Sequence, residues 1–201
     1  EERLVANGSQ RVEREFICSS FEEYNSTELF DLVIAEGCIP NQEFPVDLFK
    51  RLQRHVKPGG LMVFTTVSCV SWLSEIVRRL AKNSIDSSNI SINEHVSLLI
   101  PKFSDHFDAL KNMARTPEEW ILDNLFQPLG KGEFFTIPDA LNSLSKEFIV
   151  SGTAPVFTKE WTWYKDVEES NIDRNVRLVE AYFNNVLNFV DRRMVIPSHS
   201  Q

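Results

Sequence analysis

Apolar residues recur along this chain in two rhythms. In the first third, short runs of β-branched and aromatic residues at Phe16 to Ser19, Phe30 to Ala35 and Leu61 to Val67 are each followed by loop residues and a helical pattern. Strand alternating with helix implies a parallel sheet with crossover helices. The runs FDLVIA and LMVFTTV are nearly continuously apolar, as central strands covered on both faces would be.

Helical spacing fills the intervals. Pro45 opens a helix that places Val46, Phe49, Leu52 and Val56 on one stripe, and Pro58-Gly59-Gly60 stops it. A second helix is predicted from about Ser71, with Leu73, Ile76, Val77 and Leu80 inward. The Ser/Asn-rich stretch Asn83 to Asn93 reads as a loop. Thr116-Pro117-Glu118-Glu119 is a capping box ahead of Trp120, Ile121, Leu125 and Phe126, and Thr136 with Asp139 repeats it before Leu141 and Leu144.

The last third changes character. Glu147 to Val150 and Thr158 to Tyr164 read as an antiparallel pair joined by the turn-prone Ser151-Gly152-Thr153-Ala154-Pro155. Ser170 and Asp173 cap a long helix whose Ile172, Val176, Val179, Phe183, Val186 and Val190 have near-heptad spacing. Such a stripe packs on its own domain or forms a homodimer seam through the C-terminal helix.

Composition narrows the classes. With 42% hydrophobic and 11% aromatic residues in 201, the chain suits a globular domain with a sizeable core. The 29 acidic against 21 basic residues give a net charge of -8, and there is no long Lys/Arg run, which disfavours nucleic acid as an electrostatic partner. The apolar run Leu61 to Phe64 is far short of the roughly 20 residues that cross a bilayer, so no membrane partner is expected. Glu1-Glu2-Arg3 has neither an initiating Met nor an apolar signal region. Cys18, Cys38 and Cys69 are odd in number and lack C-x-x-C spacing, and His55, His95, His106 and His199 are scattered. Neither a disulfide framework nor a metal site is expected, and the compartment reads as reducing and cytoplasmic.

Three features in order carry a family resemblance: the acid-led strand Phe30-Asp31-Leu32-Val33-Ile34-Ala35, a Pro-opened helix, and Lys57-Pro58-Gly59-Gly60 leading into Leu61-Met62-Val63-Phe64-Thr65-Thr66. Together with the terminal hairpin they resemble the fourth and later strands of a class I S-adenosylmethionine-dependent methyltransferase. The fold that this implies is α/β, a Rossmann-like doubly wound, mostly parallel sheet (partial), with a C-terminal antiparallel hairpin at the sheet edge and a helical lid insertion. The resemblance divides the chain into an incomplete methyltransferase domain at 1–167, with the lid at about 103–135, a C-terminal helix at 168–194 and a tail at 195–201.

One departure stands out. The family's first strand, glycine-rich turn and the acid closing its second strand have no counterpart before Phe16, so the chain reads as N-terminally incomplete and inactive as it stands.

The resemblance implies S-adenosylmethionine as cofactor, a small-molecule acceptor, and a set of site residues. Cofactor contacts fall on Ser20 and Phe21 after the third strand and on Ala35, Glu36 and Gly37 after the fourth. Ser20 stands where relatives usually have an acid. Glu36, at the carboxyl end of a strand, is a candidate for the cofactor's methionine end or for a base toward the acceptor; the competing reading is a solvated loop acid. Asn41 and Gln42 are weaker candidates. Thr65, Thr66 and Ser68, with Trp72, can line an acceptor pocket, or Ser68 and Ser71 can simply cap a helix. The lid carries His106, Met113, Trp120 and Phe126, with Trp120 a candidate acceptor contact. His106 and His95 are candidate general bases against a structural role as the default.

Two further classes remain as rivals: a non-catalytic interaction or dimerisation module derived from the same fold, and another doubly wound enzyme such as a nicotinamide-dependent dehydrogenase. The hairpin and the K-P-G-G turn argue against the last.

Overall fold

A computed structural model describes residues 15–40, 42–85, 89–110, 113–128, 132–157 and 171–190. Among the described residues it is mixed α/β, with one two-stranded parallel sheet and seven α-helices. Strand β1 spans Phe30–Ala35 and β2 spans Val56–Phe64, joined by helix α1, Pro45–Gln53. Helices α2 (Trp72–Asn83), α3 (Ile92–Lys102), α4 (Ser104–Ala109), α5 (Pro117–Ile121), α6 (Ile137–Asn142) and α7 (Asn171–Asn184) follow.

Pro45 at the start of α1 costs no hydrogen bond, because the first turn has no carbonyl to receive one. The helix then lays Leu48 and Phe49 on one face of the sheet, against Ala35, Met62 and Phe64. Phe49 is fully buried between Phe64, with ring centroids 4.7 Å apart, and Phe135, at 5.1 Å. Burying such a ring contributes about 2–3 kcal/mol. Gln53, the last residue of α1, is buried with both ends of its amide used: Nε2 donates to Ser143 O, and Oε1 accepts from Ser145 N–H at 2.7 Å. That bond pins the end of α6 to the sheet core.

The opposite sheet face is bare. Leu32 pairs with Leu61 and Ile34 with Val63, and all four are exposed, Ile34 at 63%. The expectation that both strands are central and covered on both faces is therefore corrected: from Leu32 and Leu61 onward each alternates, inside at Val33, Ala35, Met62 and Phe64, outside at Leu32, Ile34, Leu61 and Val63, while Val56 at the start of β2 is buried. Phe16 to Ser19 is irregular and exposed rather than a strand, because no neighbouring strand takes its backbone bonds. The doubly wound sheet is absent from the described residues.

Other expectations are corrected by side-chain competition. Glu147 to Val150 forms no strand, since Asn175 of α7 donates to Phe148 O and accepts from Val150 N–H, both at 3.3 Å, meeting needs that a strand partner would otherwise meet. Thr158 to Tyr164, the other half of the expected hairpin, lies outside the described residues. The loop placed at Asn83 to Asn93 runs into α3, which begins with a complete Ser91–Glu94 capping box. In α2 the apolar stripe Leu73, Ile76, Val77 and Leu80 points outward, with Leu80 62% exposed, while Glu75, Arg78, Arg79 and Lys82 turn inward. Both capping boxes read from the sequence, at Thr116 and Thr136, are present. No helix among the described residues is long and apolar enough to cross a membrane.

The K-P-G-G segment lies within β2 as a bulge: Phe30 pairs with Val56 and Leu32 with Leu61, so Lys57 to Gly60 loop out opposite Asp31. Gly59 carries the positive φ, +78°, whereas Gly60 is needed for closeness: a Cβ there would lie 2.9 Å from Lys57 O and 3.1 Å from Asp31 O. Gly60→Val should therefore lower stability by about 1–3 kcal/mol through backbone displacement. Gly59→Ala should cost about 1 kcal/mol through φ alone. Urea midpoints check both, and a Gly60→Val midpoint equal to the parent's contradicts this close approach.

The Glu94 carboxylate accepts from Ser91 N–H and Ser91 Oγ–H, each at 2.8 Å. The backbone bond first, and the hydroxyl second, hold its pKa below the ordinary glutamate value. A lowered folded pKa means that this contribution is present above the unfolded value and is lost as pH falls through the folded one. Thermal midpoints from about pH 6 to about pH 3 should thus fall more in the parent than in Glu94→Gln; parallel curves would dismiss the cap as a pH-sensitive element.

Candidate functional site

Ligands of open parallel sheets collect at the carboxyl ends of the strands, where loops diverge. Here β1 ends at Ala35 and β2 at Phe64, which face each other across the ladder. The chain leaves β1 through Glu36 and Gly37, and Gly37 adopts φ +69° with open space where a Cβ would stand. A side chain at that φ would be strained, so glycine lets the loop turn away at once. The Gly37 N–H donates to Thr65 Oγ1 at 2.7 Å, which ties the two loops together. Glu36 is exposed beside this bond.

Of the residues read from the sequence, Ala35, Glu36, Gly37, Thr65 and Thr66 are therefore brought to one end of the sheet. Ser68 follows, and its Oγ lies 3.1 Å from Tyr182 Oη of α7, a residue the sequence reading passed over. Its signal was the offset between Tyr182 and the heptad stripe. Cys38 is partly buried, and desolvation pushes its thiol pKa up against an opposing backbone bond. That disfavours the thiolate, so Cys38 is poorly suited as a nucleophile. Gln42 donates to Cys38 O at 3.0 Å and closes its own loop, and Asn41 lies outside the described residues.

Ser20 and Phe21 are placed differently. The Phe21 and Glu22 carbonyls accept from Arg51, in the last turn of α1, at 3.3 and 2.9 Å. Since α1 returns the chain from the carboxyl ends of the strands to their amino ends, this contact holds Ser20 and Phe21 away from Glu36.

A second hydrophobic cluster is built by Val96 and Leu99 of α3, Phe103, Trp120 and Ile121 of α5, and Leu125. Phe135 belongs to the sheet core. Trp120 is buried inside this cluster, 4.9 Å from the His106 ring and under the Arg78 guanidinium at 5.6 Å. Lys82 caps Phe126 at 4.3 Å, and Arg79 donates to Gln127 O at 2.8 Å. The inward charges of α2 thereby fasten this helical cluster to α2 through cation–π contacts worth about 1–2 kcal/mol each when desolvated. Trp120 and the His106 ring pack together within this cluster.

Trp72 packs at a tilt against Phe134, ring centroids 5.3 Å apart, and its indole N–H is buried with no hydrogen-bond partner among the described residues. His95 is buried edge-on to Phe126, and its Nε2 likewise has no partner among the described residues. No cluster of three or more His, Cys, Asp or Glu side chains able to hold a metal occurs among the described residues.

The chain matches no protein-family model, no curated protein and no solved structure.

Thr65→Val keeps the shape of the loop junction and removes the acceptor for Gly37 N–H. The expected cost is about 0.5–1.5 kcal/mol, with faster hydrogen exchange at the Gly37 amide. Unchanged exchange would separate the two loops and dissolve the site as drawn.

Proposed function

We propose that this chain is the larger part of a methyltransferase that transfers the methyl group of S-adenosylmethionine to a small-molecule acceptor, and that activity requires an N-terminal part. The observation that carries the reading is the β1–α1–β2 unit with its K-P-G-G bulge and with Glu36 and Gly37 at the carboxyl end of β1. The exposed apolar face of that sheet, and a β1 edge with no partner strand among the described residues, support completion by further strands and helices, because parallel sheets are stable when both faces are covered.

The residues present suit one end of such a cofactor. Gly37 leaves open space for close approach, and the exposed Glu36 carboxylate complements a positively charged group. When bound, the cofactor supplies an electrophilic methyl carbon on a sulfonium. The part left to the chain is alignment: the Gly37–Thr65 bond fixes the loop that carries Glu36, so a cofactor bound at this strand end would meet a carboxylate on a fixed loop. Glu36 also suits the role of base for an acceptor that carries a proton. Thr66, after the end of β2, and Trp72, at the start of α2, are the candidates for contact with the acceptor, and Trp72 brings an indole N–H with no partner among the described residues. His106 and Trp120, within the lid, would act on acceptor binding only through the lid's position. Ser20 and Phe21, near the Arg51 end of α1, would approach a cofactor only with further strands in place. Free cysteines agree with a reducing, cytoplasmic setting.

Calorimetric titration with S-adenosylhomocysteine tests this. The isolated chain should bind no tighter than about 10 μM, some 7 kcal/mol, because a few hydrogen bonds cannot offset the ordering of a flexible ligand. An N-terminally complete protein should bind tighter, and Glu36→Gln in it should lower methyl transfer at least tenfold at unchanged thermal midpoint. Absence of binding by the complete protein would end the reading. A non-catalytic association module is the second reading, favoured by the exposed apolar stripe of α7.

A further inference from the structure

Helix α7 is fastened to its domain at several points. Leu178 and Tyr182 are buried, Asn175 bonds both Phe148 O and Val150 N–H, and the Asn185 amide donates to Phe157 O at 3.4 Å. The Tyr182 ring lies 6.2 Å from Phe157 and 5.4 Å from Phe189, centroid to centroid. That ring is a fixed anchor, and its hydroxyl is used outside the helix, 3.1 Å from Ser68 Oγ. Ser68 is the pivot of the turn after β2: its carbonyl accepts from Ser71 N–H at 3.1 Å and from Ser71 Oγ–H at 2.7 Å. Three residues earlier, Thr65 Oγ1 accepts the Gly37 N–H. A run of contacts thus leads from α7 through residues 65–68 to the loop that carries Glu36.

We propose that α7 regulates the strand-end site through Tyr182, a positioning residue whose hydroxyl holds the loop after β2 and, through Thr65, the loop of Glu36. The backbone of that turn has two other holds. Thr65 N–H to Ala35 O is long, at 3.4 Å, and Val67 N–H to Phe135 O is short, at 2.8 Å. Both fix the exit of β2 on the side of the sheet core, and neither fixes the rotation of the turn beyond Val67, where the Tyr182 bond acts. A bond from a rigid element to a mobile one lowers the population of the mobile element's open forms. Displacement of α7 is then felt at Gly37. The inference rests on placing the site at the strand ends, as the methyl-transfer reading does, but its test involves no cofactor, so either can fail alone.

Amide hydrogen exchange of this chain, followed by NMR, tests the link. Tyr182→Phe keeps the ring and removes the hydroxyl. Exchange at Gly37 should rise at least about threefold, while the Phe103 amide, bonded to Leu99 O at the end of α3, is unchanged. Ser68→Ala should do the same, and the double variant should exchange no faster than either single one, because both changes remove one bond. In Thr65→Val, where Gly37 N–H has already lost its acceptor, adding Tyr182→Phe should change nothing further at Gly37. An unaltered Gly37 rate in either single variant, an equal rise at Gly37 and Phe103, or additive effects in a double variant overturns the proposal. Should Tyr182→Phe fail to fold, Ser68→Ala compared at Gly37 and Phe103 decides.

Discussion

The contact on which the fold depends is the aromatic wedge of Phe49 between Phe64 and Phe135. A two-stranded parallel sheet is marginal in water, and its hydrogen bonds alone would not hold it. Phe49 joins α1 to β2 and to the loop before α6 in one buried cluster, and Gln53 fixes the far end of the same helix by bonding two residues beyond α6. The crossover is thereby closed at both ends. With α1 held, Ala35 and Phe64 stay level and the two loops after them can exchange the Gly37–Thr65 bond. The site thus inherits its geometry from packing on the covered face.

Closure on one side leaves the other side costly. Leu32, Ile34, Leu61 and Val63 form a contiguous apolar face, and the outward stripe of α2 adds a second. Exposed faces of this kind mark surfaces that something covers. Charge explains part of the inversion of α2: Arg78 and Lys82 gain aromatic faces at Trp120 and Phe126, and Glu75 pairs with both Arg78 and Arg79, at 2.7 and 2.9 Å. These partly buried contacts attach the cluster around Trp120 and Phe126 to α2, and the apolar residues on the helix's other side are then turned away from the domain.

Local signals in this chain were read reliably where the physics is local. The capping boxes at Thr116 and Thr136 need only a hydroxyl and a carboxyl three residues apart, and Pro45 needs only a first turn. The same rule would have found α3 at Ser91 and Glu94, hidden by the polar stretch before it. The strands at Phe30 and Leu61 were legible as apolar runs, and the second extends back to Val56 because the K-P-G-G bulge stays within the ladder.

The sequence by itself determined the middles of the two strands, the helix between them and the caps, since each follows from backbone preferences over a few positions; the bounds of the second strand, Val56–Phe64 rather than Leu61 to Val67, it did not. Tertiary structure decided which faces are covered. Periodicity shows that Leu73, Ile76, Val77 and Leu80 share a stripe, but not which way it points, which depended on partners some 40 residues later at Trp120 and Phe126. It likewise could not separate the Leu178 and Tyr182 face of α7 from the neighbouring heptad row, nor foresee that Asn175 takes the backbone bonds of Phe148 and Val150 and leaves no strand there. Those outcomes rest on long-range competition for apolar surface and hydrogen-bonding groups, which no window of neighbouring residues contains.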